Sequence, residues 1–459
     1  MTGISSPKVG RSIVQNISRL MRDRRGATAF MFLVSSVGFM GMAGFGMEVS
    51  TWYLERRHGQ NAADAAAIAG VLELIQTSGT YASAQTAGSN VATANGYTSG
   101  VGNTTVTIEP GTYSGGSFAA DSSGSCSSSC TAVKATIARA MPRSFTALLM
   151  GTGSTNVGEV AVAVRANTGA ACSLALSGGL GFSGSAAVSA TNCSLASNAT
   201  GSQSISFNGA GASKTQANAI LVGSGGCTQT GSGSPCTQSG NLMYQPSSLD
   251  PYLALQTDKS AIPASVNSTN CTSSTPAQIS TGTYCVGKDV SINGGVTTWS
   301  SGTYFFYNSS LSITSGSFTC NGCVFVFTGN NIGTLTINGG TVTMNAAPTR
   351  SNTYNDTNYN GILFYMDYNS KITGNKAQSC GNGNVQVSIS GSSTITLNGG
   401  MYFPNAAVCV SGSAFSSSES CFSLVAWSIY YNGNATQNLA GCSTTGTQTA
   451  QIRAVNLVQ

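Results

Sequence analysis

The first apolar stretch of the chain is long enough to cross a membrane. Residues 26–47 (GATAFMFLVSSVGFMGMAGFGM) contain no charged side chain. As a helix they extend about 33 Å at ~1.5 Å per residue, and a bilayer core is ~30 Å thick. We therefore predict a transmembrane helix at 26–47 that continues as an alanine-rich helix to about residue 76. A cleaved secretory signal is the alternative, although its apolar core usually has only ~7–15 residues.

The pattern after this helix changes to that of a small mixed domain. Residues 81–94 have helical spacing and end at Asn95-Gly96, a common helix stop. Alternating polar and apolar positions predict strands at 105–109, 132–138 and 160–164, with a short helix around 145–150. The sequence thus predicts a helical and α+β membrane-proximal region over residues 48–170.

From residue 171 to 459 the pattern is one of short strands separated by Gly-, Asn- and Ser-rich turns. The phrase [Ile/Leu]-Asn-Gly-Gly occurs at 292–295, 337–340 and 397–400, and Gly-Thr-Tyr occurs at 282–284 and 302–304. Strands that recur about every 20 residues favour an all-β, right-handed parallel β-helix as the exported domain. A β-sandwich is the competing fold, because Asn-Gly also forms hairpin turns.

The charge of the chain is concentrated at its beginning. The net charge is +5, and residues 1–25 hold six basic groups and one acidic group, so the remaining 13 basic and 13 acidic groups cancel. This predicts a cytoplasmic basic tail at 1–25 and an exported C-terminal part, periplasmic or surface-exposed. A nucleic-acid partner is not expected, because basic groups are not spread over a folded region.

The cysteines indicate an oxidising compartment. All 14 lie after residue 125, on one side of the apolar stretch. Cysteines that are neighbours in the sequence are the simplest disulfide pairs, although spacing alone does not fix connectivity. The candidate pairs are Cys126/Cys130, Cys172/Cys193, Cys227/Cys236, Cys271/Cys285, Cys380/Cys409 and Cys421/Cys442. Cys320 and Cys323 form a lone C-x-x-C, for which a short disulfide at a β-turn is the commoner arrangement and a redox motif is the alternative.

The beginning of the chain contains a family motif. RRGATAF, an apolar span and then QNAADAAA resemble the N-terminal domain of TadG-like Flp pilus-assembly proteins, over about residues 22–76; the Gly/Ser-rich β-repeat tail resembles tails on some members. The matching motif residues are Arg25, Gly26, Gln60, Ala62, Ala63, Asp64 and Ala65.

This resemblance implies a single-pass protein of the bacterial inner membrane that belongs to the Tad (tight adherence) secretion and pilus machinery. Such a protein assists assembly or anchoring of the Flp pilus. The implied partners are the inner membrane and other Tad pilus-assembly proteins, whose pseudopilin-like helices are expected to pack on the alanines of residues 60–69.

Catalytic chemistry has little support in the sequence. His58 is the one histidine, and it follows Arg56 and Arg57 at the end of the apolar stretch, so a multi-histidine zinc site is excluded. We predict no catalytic residue, no cofactor and no metal site, and hence no enzyme. A glycan-active β-helix enzyme is an alternative that needs clustered carboxylates. The acidic residues after Cys172 are Asp250, Asp258, Asp289, Asp356, Asp367 and Glu419.

A surface adhesin that binds glycans through its β-helix is the other alternative, because exposed aromatic rings contact sugars and proteins efficiently. The aromatic segments of the predicted β-helix are Tyr304–Tyr307, Phe364–Tyr365, Tyr368, Tyr402–Phe403, Trp427 and Tyr430–Tyr431. An exposed aromatic stripe favours adhesion and a carboxylate cluster favours an enzyme. A uniform Ser/Thr surface favours the structural role.

Overall fold

The chain forms two compact units. The computed structural model describes residues 24–75, 79–125, 130–147, 151–165, 170–184, 186–191, 193–208, 217–218, 220–230, 235–257, 262–349, 359–368, 385–391, 395–412, 421–433, 436–440, 442, 446–452 and 454–458. The first unit comprises the described residues up to Arg165 together with Val455–Val458, and the second comprises those from 170 to Ala454. The sequence analysis assigned the whole of 171–459 to the β-helix, whereas the structure returns the last strand to the first unit.

Two helices form one side of the first unit. Helix α1 (Arg24–Leu74) is continuous over 51 residues, as the sequence predicts. Helix α2 (Tyr81–Ala94) begins with a capping box, in which Thr80 and Ser83 each bond the other's backbone N–H, and ends at Asn95. Its bounds are those that the helical spacing and the Asn-Gly stop predict.

An antiparallel five-stranded sheet completes the first unit. Its strands are β1 (Thr104–Ser114), β2 (Ser117–Ala120), β3 (Ala132–Pro142), β4 (Ser154–Arg165) and β27 (Val455–Val458). Their order is β2-β1-β3-β4-β27. Residues 144–147 contain only a turn and the start of a helix, and the rest of the short helix predicted there, 148–150, lies outside the described residues.

The alanine face of α1 is buried within the first unit. Ala62, Ala63, Ala66 and Ala67 have no exposed surface and pack in one cluster with apolar side chains of β1, β3 and β4. The expectation that this face packs on helices of other pilus proteins is therefore wrong for these four residues. Small side chains allow close approach, and here the approaching partner is the chain's own sheet.

The second unit is a parallel β-solenoid. Its strands are β5 (Ala170–Ala175), β6 (Leu180–Ser183), β7 (Ala187–Thr191), β8 (Cys193–Ser197), β9 (Ile205–Asn208), β10 (Ala217–Asn218), β11 (Leu221–Gly223), β12 (Cys227–Gln229), β13 (Ala277–Ser280), β14 (Thr283–Val286), β15 (Val290–Trp299), β16 (Gly302–Tyr307), β17 (Leu311–Asn321), β18 (Cys323–Thr328), β19 (Leu335–Asn338), β20 (Thr341–Asn345), β21 (Ile362–Met366), β22 (Val387–Gly391), β23 (Ile395–Gly412), β24 (Phe422–Asn432), β25 (Thr436–Ala440) and β26 (Ala450–Gln451). Short helices occur at Pro235–Thr237 (3₁₀) and Leu253–Thr257 (α3).

Three parallel faces build about nine turns. Face A stacks β14, β16, β18, β21, β23, β24, β5, β8 and β11, in that spatial order. Face B stacks β15, β17, β19, β22, β23, β24, β6, β9 and β12. Face C contains the second halves of β15 and β17, then β20 and the start of β23; the strands β25, β7 and β10 form a separate parallel sheet. We number the turns 1–9 along face A.

The Gly-Thr-Tyr repeat marks successive turns of the solenoid. The two Gly-Thr-Tyr copies stack directly, with Thr283 beside Thr303 and Tyr284 beside Tyr304. Ile292 and Ile337 of the [Ile/Leu]-Asn-Gly-Gly phrase lie in one face B ladder two turns apart, with Ile313 of turn 2 between them. Leu397 of the third copy lies on face C instead, beside Met344. The 20-residue recurrence is therefore one circuit of the solenoid, as predicted.

Side-chain ladders stabilise the stack inside and at a corner. The core ladder of face B contains buried Ile292, Ile313, Ile337 and Ile389 on four successive turns. At the corner between faces C and A, the amide of Asn345 donates to Asn321 at 2.6 Å, and that of Asn398 donates to Asn345 at 2.7 Å. Each turn thus binds the next through apolar packing and hydrogen bonds, as in other solenoids.

The chain enters the solenoid at turn 7 and not at either end of the stack. The first strands in sequence, β5 and β6, form turn 7 and pair with β24 of turn 6. The ring of Phe182 in turn 7 lies between those of Phe207 and Tyr431, at 4.5 and 5.5 Å between centroids. The buried hydroxyls of Tyr431 and Ser173 are 2.7 Å apart. This junction between turns 6 and 7 joins the two halves of the domain.

A return segment, described at residues 235–257 and 262–280, connects turn 9 to turn 1 outside face A. Leu242 bridges to turn 9, Ser248 exchanges two hydrogen bonds with Asn198 of turn 8, and Cys271 is bonded to Cys285 of turn 1. An apolar cluster fills the space between this segment and face A. Strand β13 then pairs antiparallel with β14 and covers that edge of the stack.

Five disulfides join cysteines that are neighbours in the sequence. They are Cys172–Cys193, Cys227–Cys236, Cys271–Cys285, Cys320–Cys323 and Cys421–Cys442. These are the same pairs as in the sequence analysis. Cys130 and Cys409 are also disulfide-bonded, but Cys126 and Cys380 lie outside the described residues, so those two pairs stay predictions. Cys172–Cys193 links turns 7 and 8, Cys320–Cys323 closes a turn corner, and Cys271–Cys285 joins the return segment to turn 1.

Candidate functional site: the anchor helix and the solenoid faces

The first part of helix α1 is exposed and apolar. Phe32 is 76% exposed and Met47 70%, and most large side chains between them are similarly uncovered. Within the part of the chain that the structure describes, α1 is the one helix long and apolar enough to cross a membrane. In water such a surface is unfavourable, at about 25 cal/mol per Å². This segment is the candidate membrane-contacting site.

A group of polar side chains lies one to three turns after the apolar segment of α1. We call it the collar; it comprises Glu55 and Arg56 of α1 with Tyr97, Arg139 and Glu159. Arg56 pairs with Glu159 of β4 at 2.7 Å, and Glu55 pairs with Arg139 of β3 at 2.9 Å. The hydroxyl of Tyr97 donates to Glu55 at 3.0 Å. Desolvation and the Glu55 carboxylate raise the pKa of Tyr97 to about 12. These contacts fix the exit of the apolar helix to the sheet.

The carboxylate of Glu48 binds a loop at the end of the apolar segment. It accepts hydrogen bonds from the backbone N–H of Ser144 at 2.8 Å, and from the N–H and hydroxyl of Thr146 at 2.6 and 3.0 Å. The sequence analysis missed Glu48, because its partners lie 96 and 98 residues away.

The family-motif residues have structural positions in α1. Gln60 donates to Asp64 at 2.7 Å, one helical turn on, and reaches the carbonyl of Val160 in β4 at 3.4 Å. Ala65 is partly exposed beside the buried alanines. Arg25 and Gly26 belong to α1, but their side chains lie outside those described. His58 is exposed on α1.

The described carboxylates of the solenoid are separate and bind neighbouring backbone or hydroxyl groups. Asp289 accepts from the N–H of Ser310 at 2.8 Å, and Asp367 from the hydroxyl of Thr328 at 3.0 Å. Asp250 accepts from the hydroxyl of Tyr402 at 2.8 Å. Asp258, Asp356 and Glu419 lie outside the described residues. Among the residues described, no three His, Cys, Asp or Glu side chains could hold a metal ion together.

The cysteines of the C-x-x-C sequence lie in the core. Cys320 and Cys323 are bonded to each other and have no exposed surface. A redox-active cysteine needs access to its substrate. A structural disulfide at the corner between turns 2 and 3 is the arrangement that the structure shows.

The aromatic residues of the solenoid are mostly core residues. Tyr304, Phe306, Phe364 and Phe403 are at most 2% exposed, as are Phe305, Tyr365, Tyr402 and Tyr431. In the described part of the solenoid, Tyr244 and Tyr368 are the exposed aromatic side chains. They belong to different parts of the stack and do not form a stripe.

The outward positions of faces B and C carry hydroxyls instead. Thr298, Thr319, Thr343 and Thr396 are in register along face C, at least partly exposed, and alternate with core side chains. Face B has a corresponding outward row, which begins Ser291, Ser312, Thr336 and Ser388. The repeated Thr-x-Thr at 341–343 and 394–396 was the available sequence signal. These rows explain how the chain solvates its surface with so few charges.

Comparison with known proteins identifies the N-terminal region. Residues 26–84 match the family model of TadE/G-like Flp pilus-assembly proteins. The match covers the exposed apolar segment, the collar residues of α1 and the start of α2. No curated protein and no solved structure is significantly similar to the chain.

Proposed function

We propose that the TadE/G-like domain at residues 26–84 makes this chain a membrane-anchored, non-enzymatic envelope protein of the Flp/Tad pilus system, which assists pilus assembly or anchoring. The family match is the observation on which the proposal rests. The exposed apolar segment of α1 supplies the anchor. The basic residues before it favour a cytoplasmic N-terminus, an inner-membrane location and an exported solenoid.

The solenoid supports a structural role more than adhesion or catalysis. Its aromatic rings fill the core, and its described carboxylates cap turns or bond neighbouring hydroxyls. The outer faces are rows of Ser and Thr hydroxyls in register. A stack of turns with few charges on its outer faces suits a scaffold in the envelope. Adhesion to glycans is the alternative function, and the experiment must distinguish it from a role in pilus assembly.

The test uses a deletion that preserves the first unit. Arg165 pairs with Val455 across the sheet, so a short Gly/Ser loop can replace residues 166–454 without removing β27. A null strain, the same strain with the full chain, and the same strain with the loop variant are compared. Membrane levels are checked by blot, surface pili are counted, and attachment is scored.

Each outcome has one meaning. Loss of pili in both the null and the loop strains supports a solenoid that takes part in assembly. Pili that persist in the loop strain while attachment falls support the adhesin. Normal pili in the null strain contradict the proposed assembly role.

A further inference from the structure

The loop between β3 and β4 contacts the apolar segment of α1 before the collar. The ring of Phe145 lies directly against the backbone of Gly44: a Cβ at that position would be 2.3 Å from the ring carbon Cδ1. Gly44 lies three residues inside Met47, the end of the uncharged segment. Any larger residue at position 44 displaces the ring, so the two residues fit together.

Phe145 is nevertheless 55% exposed. One side of its ring covers Gly44, and the other side has no protein contact that would bury it. The next residue, Thr146, is 2% exposed, so Phe145 projects beside a backbone that is packed against α1. A projecting phenylalanine beside an exposed apolar helix extends the same apolar surface.

The depth of Phe145 follows from helix geometry. Tyr53, 61% exposed, is nine residues beyond Gly44 on α1, or roughly 13 Å along the axis. Tyr and Trp side chains concentrate at the membrane–water interface, and Trp52 lies beside Tyr53 in the sequence. With Tyr53 at the interface, Phe145 lies well inside it, among lipid chains.

Glu48 keeps this loop at its depth. Its carboxylate accepts three hydrogen bonds from Ser144 and Thr146, the residues on both sides of Phe145. These bonds satisfy backbone donors that water cannot reach at a lipid boundary, where an unpaired N–H is costly. Glu48 is one helical turn from Gly44, so the ring and the hydrogen bonds lie on the same face of α1.

We infer that residues 144–146, which follow β3, form a second membrane contact, in which Phe145 inserts into the bilayer beside Gly44 and Glu48 fixes these residues to the anchor helix. The occupant of this surface is lipid, of the same bilayer that the apolar segment crosses. The inference rests on the proposed membrane anchor and adds a point that limits rotation and tilt of the first unit at the membrane.

The full chain is tested in vesicles of phosphatidylethanolamine with a minor share of phosphatidylglycerol. An environment-sensitive fluorescent amino acid is placed at Met40, Phe145 or Ser114, in three separate proteins. Ser114 is exposed at the β1–β2 hairpin, at the opposite end of the sheet from the loop. Quenching by lipids with a nitroxide on the acyl chain is then compared with quenching by iodide in the buffer.

We expect lipid quenching at Phe145 to approach that at Met40 and to exceed that at Ser114 several-fold, with the reverse order for iodide. If lipid quenching at Phe145 equals that at Ser114 while Met40 is still quenched by lipid, the second membrane contact is overturned and the membrane anchor stands. Met40 accessible to iodide shows instead that the anchor proposal has failed. Glu48→Gln should lower lipid quenching at Phe145 and leave Met40 unchanged; unchanged quenching at both overturns the role of Glu48.

Discussion

Removal of the ring of Phe182 should separate the two halves of the solenoid. Phe182 is 1% exposed; its ring stacks on Tyr431 across the junction of turns 6 and 7, and on Phe207 of turn 8. Truncation of a buried phenylalanine to alanine costs about 3–5 kcal/mol, and two aromatic stacks place the expected cost at the upper end. A loss of this size is comparable with a third of the stability of a typical domain.

The assay is hydrogen exchange on the full chain in detergent. Because solenoid turns contact only their neighbours, the loss should concentrate near the substitution. We expect Phe182→Ala to lower amide protection in β5, β6, β8 and β9 by roughly 100-fold or more, since each 1.4 kcal/mol is about tenfold. Turns 1–3 should change much less.

Phe306→Ala is the matched control. Phe306 has no exposed surface and stacks on Phe327 at 5.0 Å, between turns 2 and 3, which are continuous in sequence. It should lower protection in turns 1–3 and leave β5 to β9 protected. A uniform loss over all nine turns in both variants would refute the reasoning, because the solenoid would then open as one unit.

Two further predictions concern single contacts. Gly181→Ala places a Cβ 2.4 Å from a ring carbon of Tyr430, so it should lower the free energy of unfolding in urea by about 1–3 kcal/mol. Adding Tyr430→Ala to the same chain should restore part of that loss. If Gly181→Ala is as stable as the wild type, the contact is contradicted. Burial raises the pKa of Asp250 above 3.8, against the hydrogen bonds from Tyr402 and Gln256. The protonated Asp250 side chain therefore stabilises the fold fully below pH 3.8, and this stabilisation is lost as the pH rises through the raised pKa of the folded state. Asp250→Asn should remove this pH-dependent loss of stability. If the wild type and Asp250→Asn show parallel curves of stability against pH, the raised pKa of Asp250 is disproved.

Local patterns in the sequence predicted the elements of the fold well. The bounds of α2 follow from helical spacing and an Asn-Gly stop, and the circuits of turns 1–3 follow from a repeat of about 20 residues. Both signals lie within a few tens of residues, where periodicity and turn chemistry act. The buried aromatic ladders follow from the same strand alternation.

Long-range pairing was beyond those patterns. The contact between β24 and β5 joins residues about 250 apart, and any two apolar strands of similar length have the same local signature. The alanine face of α1 indicated that another element packs closely on the helix. It did not indicate whether that element belongs to the same chain or to another protein. Glu48 looked like the polar end of an apolar helix, because its hydrogen-bond donors belong to a distant loop.

The entry of the chain into the stack at turn 7 sets an order for biosynthesis. The ribosome delivers turns 7–9 first, and β24, the strand that covers the open side of β5, follows β5 by about 250 residues, which is roughly 12–50 s at ordinary elongation rates. Until then β5 is an unpaired edge, the kind of surface that templates aggregation. A prematurely terminated chain never supplies that cover. Completion of the solenoid therefore depends on synthesis of the whole domain, and incomplete products keep an exposed edge that chaperones and proteases can recognise.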